Sequence, residues 1–332
     1  MTTVFDREAE RSATLAELAR MASGKRAELI AEYQRRSEEA YAPETLRNYR
    51  QITASFRAWC EGHDYRAEPP IPPEIVAEYV ETLGGKLSAN TIETRLWAIA
   101  ELHRSHFQPS PCRHRLVELS LKAVKRKYGA RSRQAAALGK AEVLETVKRI
   151  GTSRKGLRDK ALILAASDSW LRASELVALR VRDLSRQDDG SSILFVARSK
   201  TDPYGEGDYA YLSPLGSRAV LQWIDCACLG LDDPIFTKSQ DGGLRTPLNP
   251  STVSRIFKKR FGRADVSSHS TRVGGVQDAL RLGCSLGSIM VAGRWRSPEM
   301  PARYGRRISA SQSAAAEVAK AYERNGDNPL AD

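Results

Sequence analysis

Nowhere in the 332-residue chain is there an apolar run near the roughly 20 residues that a membrane-spanning helix needs. The first residues are charged (Asp6, Arg7, Glu8, Glu10, Arg11) and lack the apolar core of a secretory signal, so export is not expected. Cysteine is scarce. Cys60, Cys112, Cys226, Cys228 and Cys284 are odd in number and scattered, which gives no disulfide framework and fits a reducing cytoplasm. Cys226-Ala-Cys228 has no second ligand pair, and His103 and His106 have no third ligand, so no metal site is expected. Acid is in deficit: 40 Asp and Glu against 52 Lys and Arg leave a net charge of +12. A polyanionic partner follows, and nucleic acid suits it better than a membrane, because no basic amphipathic helix stands out.

What the chain does contain is concentrated between Ser268 and Tyr304. His269-Ser270-Thr271-Arg272 sets an imidazole and a guanidinium one turn apart on a helical face. Helical patterns over Val273–Leu282 and Leu286–Ala292 stop at Gly283 and Gly293, where C-terminal caps belong. Trp295 follows, and Ser297-Pro298 starts a short helix with Tyr304 on or just after it. All four side chains donate hydrogen bonds, and only the tyrosine offers a nucleophilic oxygen. Singly, each has a commoner explanation: a core Trp, a half-buried Tyr, a chance His-x-x-Arg. Together they suit phosphotyrosine transfer on a phosphodiester. Fixed donors would meet the charge on the non-bridging oxygens, and a covalent intermediate would store the bond without ATP or metal.

That chemistry calls for a second arginine and a general acid, and both lie upstream. Trp170-Leu171-Arg172-Ala173-Ser174-Glu175-Leu176 opens an amphipathic helix with Leu176, Leu179 and Val181 as its apolar positions. After Asp183-Leu184 come a strand, Ile193–Val196, and the turn Arg198-Ser199-Lys200-Thr201-Asp202-Pro203. The order Leu-Arg-x-x-Glu-Leu, hairpin Lys, His-x-x-Arg, Gly-x-Trp and final Tyr resembles the tyrosine recombinase (phage integrase) family. The spacings from Arg172 to Lys200, Arg272 to Trp295 and Trp295 to Tyr304 resemble those members that carry Trp where many relatives carry His. The resemblance runs over residues 25–325 and is weaker in the amino-terminal half.

The resemblance implies a mainly α fold forming a two-domain DNA clamp. A helical core-binding domain (25–127) would be followed by a basic linker (128–139). A mostly helical catalytic domain with a small antiparallel sheet (140–332) would complete it, with 1–24 as an extension and 311–323 as a docking helix. It further implies that Tyr304 attacks the scissile phosphate, while Arg172, Arg272 and Trp295 bind its non-bridging oxygens. Lys200 would protonate the leaving 5′-oxygen, His269 would assist the tyrosine's proton loss, and Glu175 would orient the site. The implied partner is double-stranded DNA with an inverted-repeat target, bound by a dimer on one site and a tetramer in synapsis. No cofactor is implied. A type IB topoisomerase would use nearly the same residues for relaxation, and a non-catalytic sequence-specific DNA-binding protein is the alternative from another class.

Earlier in the chain the pattern is all helical. Ala42–Trp59 is amphipathic, Pro69-Pro70-Ile71-Pro72-Pro73 breaks the chain, and Glu74–Leu83 ends at Gly84-Gly85. Ser88 caps a helix whose Ile92, Leu96, Ile99 and Leu102 face inward. Asn90, Thr91, Thr94 and Arg95 are left outward near its start, the residue types that major-groove reading needs. Lys122, Lys125, Arg126, Lys127, Arg131 and Arg133 form a run with no acid, read as phosphate contacts in the linker region. Helix Ser251–Phe261 presents Arg255, Lys258, Lys259 and Arg260 as a second groove candidate. Asp188-Asp189-Gly190 and Asp232-Asp233-Pro234 are turns, not paired metal-binding acids. Ser311–Tyr322 is an Ala-rich helix with Val318 and Tyr322, too small-faced to be stable alone.

Overall fold

The structure, a computed structural model, describes residues 25–130, 134–199, 202, 204–238 and 245–324. The described residues are mostly helical with one small antiparallel sheet, and divide into two compact units, one ahead of position 134 and one from it onward.

The first unit is built from α1 (Arg26–Ala40), α2 (Pro43–Glu61), α3 (Pro73–Leu83), α4 (Ala89–Ser105) and α5 (Arg115–Tyr128). Prolines at the first positions of α2 and α3 fix φ where no amide donor is needed. Ser88 caps α4 by accepting the Thr91 amide at 3.2 Å. Phe56, Val76, Tyr79, Val80, Ile92, Ile99 and Val117 form the core, with the Phe56 and Tyr79 rings 4.8 Å apart. Gly84-Gly85 does more than end α3. A Cβ at Gly84 would come within 2.8 Å of the Tyr128 ring, so these glycines let α5 close down on the turn. His103 is fully buried: its Nε2 accepts the Ile71 amide at 3.1 Å and its Nδ1–H donates to the Ile99 carbonyl at 2.8 Å. Burial lowers its pKa, so it is a neutral packing residue.

The second unit holds α6 (Lys140–Lys148), α7 (Arg154–Ser169), α8 (Ala173–Ala178), β1 (Leu184–Arg186), β2 (Ser192–Val196) and β3 (Asp208–Leu212). It continues with α9 (Pro214–Ala227), α10 (Pro250–Phe261), α11 (Ser268–Arg281), α12 (Leu286–Gly293), α13 (Glu299–Ser311) and α14 (Ala314–Arg324). The sheet is a meander of order β1-β2-β3, with Ser185 opposite Ile193 and Ile193 opposite Tyr211. Its Leu194, Val196, Ala210 and Leu212 are buried, as the period-2 alternation requires, in the core that also holds Leu162, Ile163, Trp223, Phe236 and Phe257.

Four expectations change here. Strand β1 was not foreseen, being three residues long and lacking a β-rich composition. The Arg172 helix begins at Ala173, with Trp170 left-handed at φ 50° and Arg172 as its N-cap, and Val181 falls in a separate 3₁₀ turn. α11 begins before His269, so the whole His-x-x-Arg step lies inside it. The last helix begins at Ala314, because Ser311 still belongs to α13.

Two glycines on α11 set the geometry behind the site. A Cβ at Gly274 would lie 1.9 Å from the Leu138 carbonyl oxygen, and one at Gly275 would lie 2.2 Å from the Trp170 indole nitrogen. The Leu138 amide also donates to the Ser270 carbonyl at 2.9 Å, so the segment before α6 is seated on α11 by its backbone.

Candidate active site and nucleic-acid interface

Within the second unit, α11, α13, the α12–α13 turn and the α7–α8 turn bring their polar side chains together. Tyr304 lies mid-helix on α13 and is 6 % exposed, its hydroxyl 2.9 Å from His269 Nε2. Gly305 allows that approach, since a Cβ there would meet Leu280 of α11 at 2.1 Å. Arg272, one turn beyond His269, is buried; its guanidinium donates to the Gly293 carbonyl at 2.8 Å and to the Trp170 carbonyl. The same guanidinium lies over the Trp295 ring, 4.6 Å from its centroid. Trp295 in turn meets the Tyr304 ring edge-on at 5.9 Å.

Arg172 donates from its amide to Glu175 Oε2 at 2.9 Å and from its guanidinium to Oε1 at 2.5 Å. Glu175 therefore accepts a free amide at the start of α8 while it orients the arginine. Burial alone would raise the Glu175 pKa; the Arg172 amide and the charges of Arg172 and Arg294 outweigh it and hold it below the ordinary value. Two guanidiniums (Arg172 and Arg294) pair with this one carboxylate and a third, Arg272, donates to carbonyls, leaving a positive site for an anion. His269 opens to solvent on one side; desolvation on the other, then Arg272 and Arg172, lower its pKa. Burial raises the Tyr304 pKa against the pull of Arg272, Arg172 and Arg303. At neutral pH the pair is a phenol facing a neutral imidazole that can accept its proton.

Lys200 lies outside the described residues. Its neighbours Ser199 and Asp202 form an antiparallel bridge. The Asp202 carboxylate accepts the amides of Gly205, Glu206 and Gly207 at 3.1, 3.2 and 2.9 Å, which folds the far side of that turn.

In the first unit, Asn90, Thr91 and Thr94 are exposed at the start of α4. Arg95 is not: it is half-buried, its guanidinium donating to Tyr79 Oη at 2.8 Å and Ser55 Oγ at 3.2 Å. Together with Asn48, Gln51, Ile52 and Ser55 of α2, these residues line a cavity of about 440 Å³. In the sequence Asn48 and Gln51 show only as the polar face of α2, beside its stronger apolar stripe. Lys122 and Arg126 are exposed, but Lys125 is half-buried and paired with Glu93; Arg131 and Arg133 lie outside the described residues. In the second unit, Arg255, Lys258 and Lys259 are exposed on α10, while Arg260 is held by Asp159 at 2.6 Å and does structural duty. Arg294 escaped notice altogether, standing only as the variable position of Gly-x-Trp.

No protein-family model matches the chain. Among curated proteins it is 32 % identical over 294 residues to an integrase/recombinase XerD homolog of Selenomonas ruminantium, covering 81 % of this chain and 83 % of that protein. It is 27 % identical over 305 residues to recombinase Cre of Escherichia phage P1, covering 84 % and 88 %. Of solved structures, the Tn1549 transposon integrase in complex with transposon right end DNA aligns at a TM-score of 0.61 and 13 % identity, covering 86 % of this chain and 98 % of that one. A λ integrase dimer bound to a core site aligns at 0.54 and 15 % identity, over 84 % and 76 %; these two likenesses speak to the fold. The chain belongs to the tyrosine recombinase family. It is accordingly an enzyme of the tyrosine site-specific recombinase class.

Proposed function

We propose that this protein recombines DNA at an inverted-repeat site through a 3′-phosphotyrosine intermediate, and that the residues assembled around Tyr304 carry the reaction. The observation that carries this reading is the Tyr304 hydroxyl set 2.9 Å from His269 Nε2 beside two phosphate-competent arginines. The phenolic oxygen attacks phosphorus as its proton passes to His269. The bond from phosphorus to the 5′-oxygen breaks, and Lys200 delivers a proton to that oxygen. Arg172, Arg272 and the Trp295 indole bind the non-bridging oxygens, where charge is greatest in the transition state. Attack by a 5′-hydroxyl from the partner duplex reverses each step and rejoins the strands, so exchange passes through a Holliday junction with no external energy source.

Recognition falls to the first unit, with phosphate contacts from both. Asn48, Gln51 and Asn90 supply the amide geometry that pairs with adenine in the major groove, while Lys122, Arg126, Lys258 and Lys259 meet phosphates. Selection of bound DNA from a random pool by the purified protein tests this directly. The expected product is an inverted repeat, two copies of which recombine on a plasmid. Enrichment of no sequence would sink the reading of a site-specific enzyme.

The pH profile follows from His269. Its pKa lies below the ordinary imidazole value of about 6.5, and only the neutral ring accepts the tyrosine's proton. Single-turnover cleavage should therefore be flat from neutral to mildly alkaline pH and fall only below about pH 6.5. His269→Gln should lower the rate and remove that acid limb. A wild-type limb centred above neutrality would exclude His269 as the acceptor.

Protomers are proposed to pair through α14. Val318 and Tyr322 on that helix are 57 % and 62 % exposed, so its apolar side is not folded onto its own unit. Gln312, just before it, donates to the Leu280 carbonyl at 2.9 Å and anchors the preceding turn. Truncation after Gln312 should leave single-arm binding and its salt dependence intact. Cooperative occupation of two arms should weaken by roughly tenfold or more, and recombination should fail with it, because ring closure needs every such contact. Cooperative binding and normal recombination by the truncated protein would show that α14 does not link subunits.

A further inference from the structure

We infer that Arg294 is a positioning residue of the active site, setting Arg172 through Glu175 and Arg272 through the Trp170 carbonyl. The inference rests on the recombinase reading above and adds to it a residue and a route of action.

Arg294 is costly where it stands. It caps α12 in the left-handed region at φ 54°, where glycine is at ease and arginine is not. Its side chain is also buried, only 3 % exposed, although an arginine takes its charge with it into the interior. A simple helix stop would need neither feature. The guanidinium is held by the Ser169 carbonyl at 3.1 Å, the Ala292 and Trp170 carbonyls at 3.3 Å each, and Glu175 Oε2 at 3.3 Å. It thereby ties the ends of α7 and α12 to the start of α8.

The choice of partners separates a positioning role from mere packing. Glu175 is the carboxylate that grips Arg172, and the Trp170 carbonyl is an acceptor that Arg272 also uses. Two of the four Arg294 contacts are therefore shared with the two arginines proposed to bind the scissile phosphate. The residue before it, Gly293, gives its carbonyl to Arg272, and the residue after it is Trp295. Without Arg294, Glu175 Oε2 would keep the Arg172 amide but lose its cation, and the carboxylate could turn. Arg172 would then lose a fixed direction while staying in place. A guanidinium aimed wrongly by an ångström binds phosphate but stabilises the transition state poorly.

The test is a double-mutant cycle in single-turnover cleavage of a nicked suicide duplex carrying the selected target site. Arg294→Gly suits the left-handed backbone, so the change removes the guanidinium without new strain. Cleavage should slow by roughly 10- to 100-fold while affinity for a single arm stays within about twofold of wild type. Arg294→Lys, which restores the charge but not the fork, should recover part of the rate. In a Glu175→Gln background the Arg294→Gly change should cost less, because only the route through the Trp170 carbonyl is left to lose. Unchanged cleavage by Arg294→Gly, or an equal loss in both backgrounds, would overturn the inference. If Arg294→Gly gives no cooperative melt, the cycle with Arg294→Lys decides: coupling to Glu175→Gln supports the role and additivity overturns it. A wild-type protein that forms no adduct would sink the recombinase reading and the inference with it. Normal wild-type adduct with an indifferent Arg294→Gly sinks the inference alone.

Discussion

Tyr304→Phe should form no covalent protein–DNA adduct on a nicked suicide substrate, a loss on the order of the 10⁶-fold seen when a covalent nucleophile is removed. The change deletes one oxygen and keeps the ring. The phenylalanine would retain the edge contacts that the Tyr304 ring makes with Trp295 at 5.9 Å and with His269 at 5.6 Å, so packing between α11 and α13 should survive. Only the hydrogen bond to His269 is lost, worth about 1 kcal/mol net. DNA binding should accordingly stay close to wild type, because no phosphate or base contact is assigned to that hydroxyl. Adduct in the Phe variant would mean that another nucleophile is in use and that the assignment is wrong.

Lys200→Ala should slow cleavage of ordinary DNA by roughly 10²- to 10⁴-fold, the usual worth of a general acid. The leaving 5′-oxygen is a poor leaving group until it gains a proton, and Lys200, which falls between β2 and β3 in the sequence, is proposed to supply it. A substrate with sulfur at the 5′-bridging position leaves without protonation. That substrate should restore the Ala variant to near the wild-type rate, whereas Tyr304→Phe should remain inert on both. An equal defect of Lys200→Ala on both substrates would show that the lysine positions the phosphate and delivers no proton.

Periodicity and capping made most helices legible before any coordinates. α2 and α3 fall within two residues of the expected ends and α4 starts at its expected cap, because Pro43, Pro73 and Ser88 are local signals that need no tertiary context. What escaped was decided by long-range contact. Leu184–Arg186 becomes a strand only because β2 lies beside it. Arg95 and Arg260 have the composition of groove readers, yet Tyr79 and Asp159, 16 and 101 residues away in sequence, claim their guanidiniums. Lys125 is drawn to Glu93 in the same way. Nothing short of three dimensions could reveal these pairings. For the site, the spacing of His269, Arg272, Trp295 and Tyr304 named residues that the fold brings into contact. Arg294 was invisible because its partners come from two other helices, α7 and α8, more than 100 residues upstream.

The seating of Leu138 on α11 has a mechanical meaning. Its amide and carbonyl meet the helix backbone itself, at Ser270 and at the bare Cα of Gly274, with no side chain between them to bend. A joint made of backbone on backbone has no give, since rotamers cannot absorb a displacement there. The stretch leading into α6 and the helix bearing His269 and Arg272 must shift as one piece. The alignment that matters is the 2.9 Å gap between His269 and Tyr304, which tolerates only a fraction of an ångström before the hydrogen bond fails. Leu138 and Gly139 thus tie the entry of α6 rigidly to the helix that aims the imidazole.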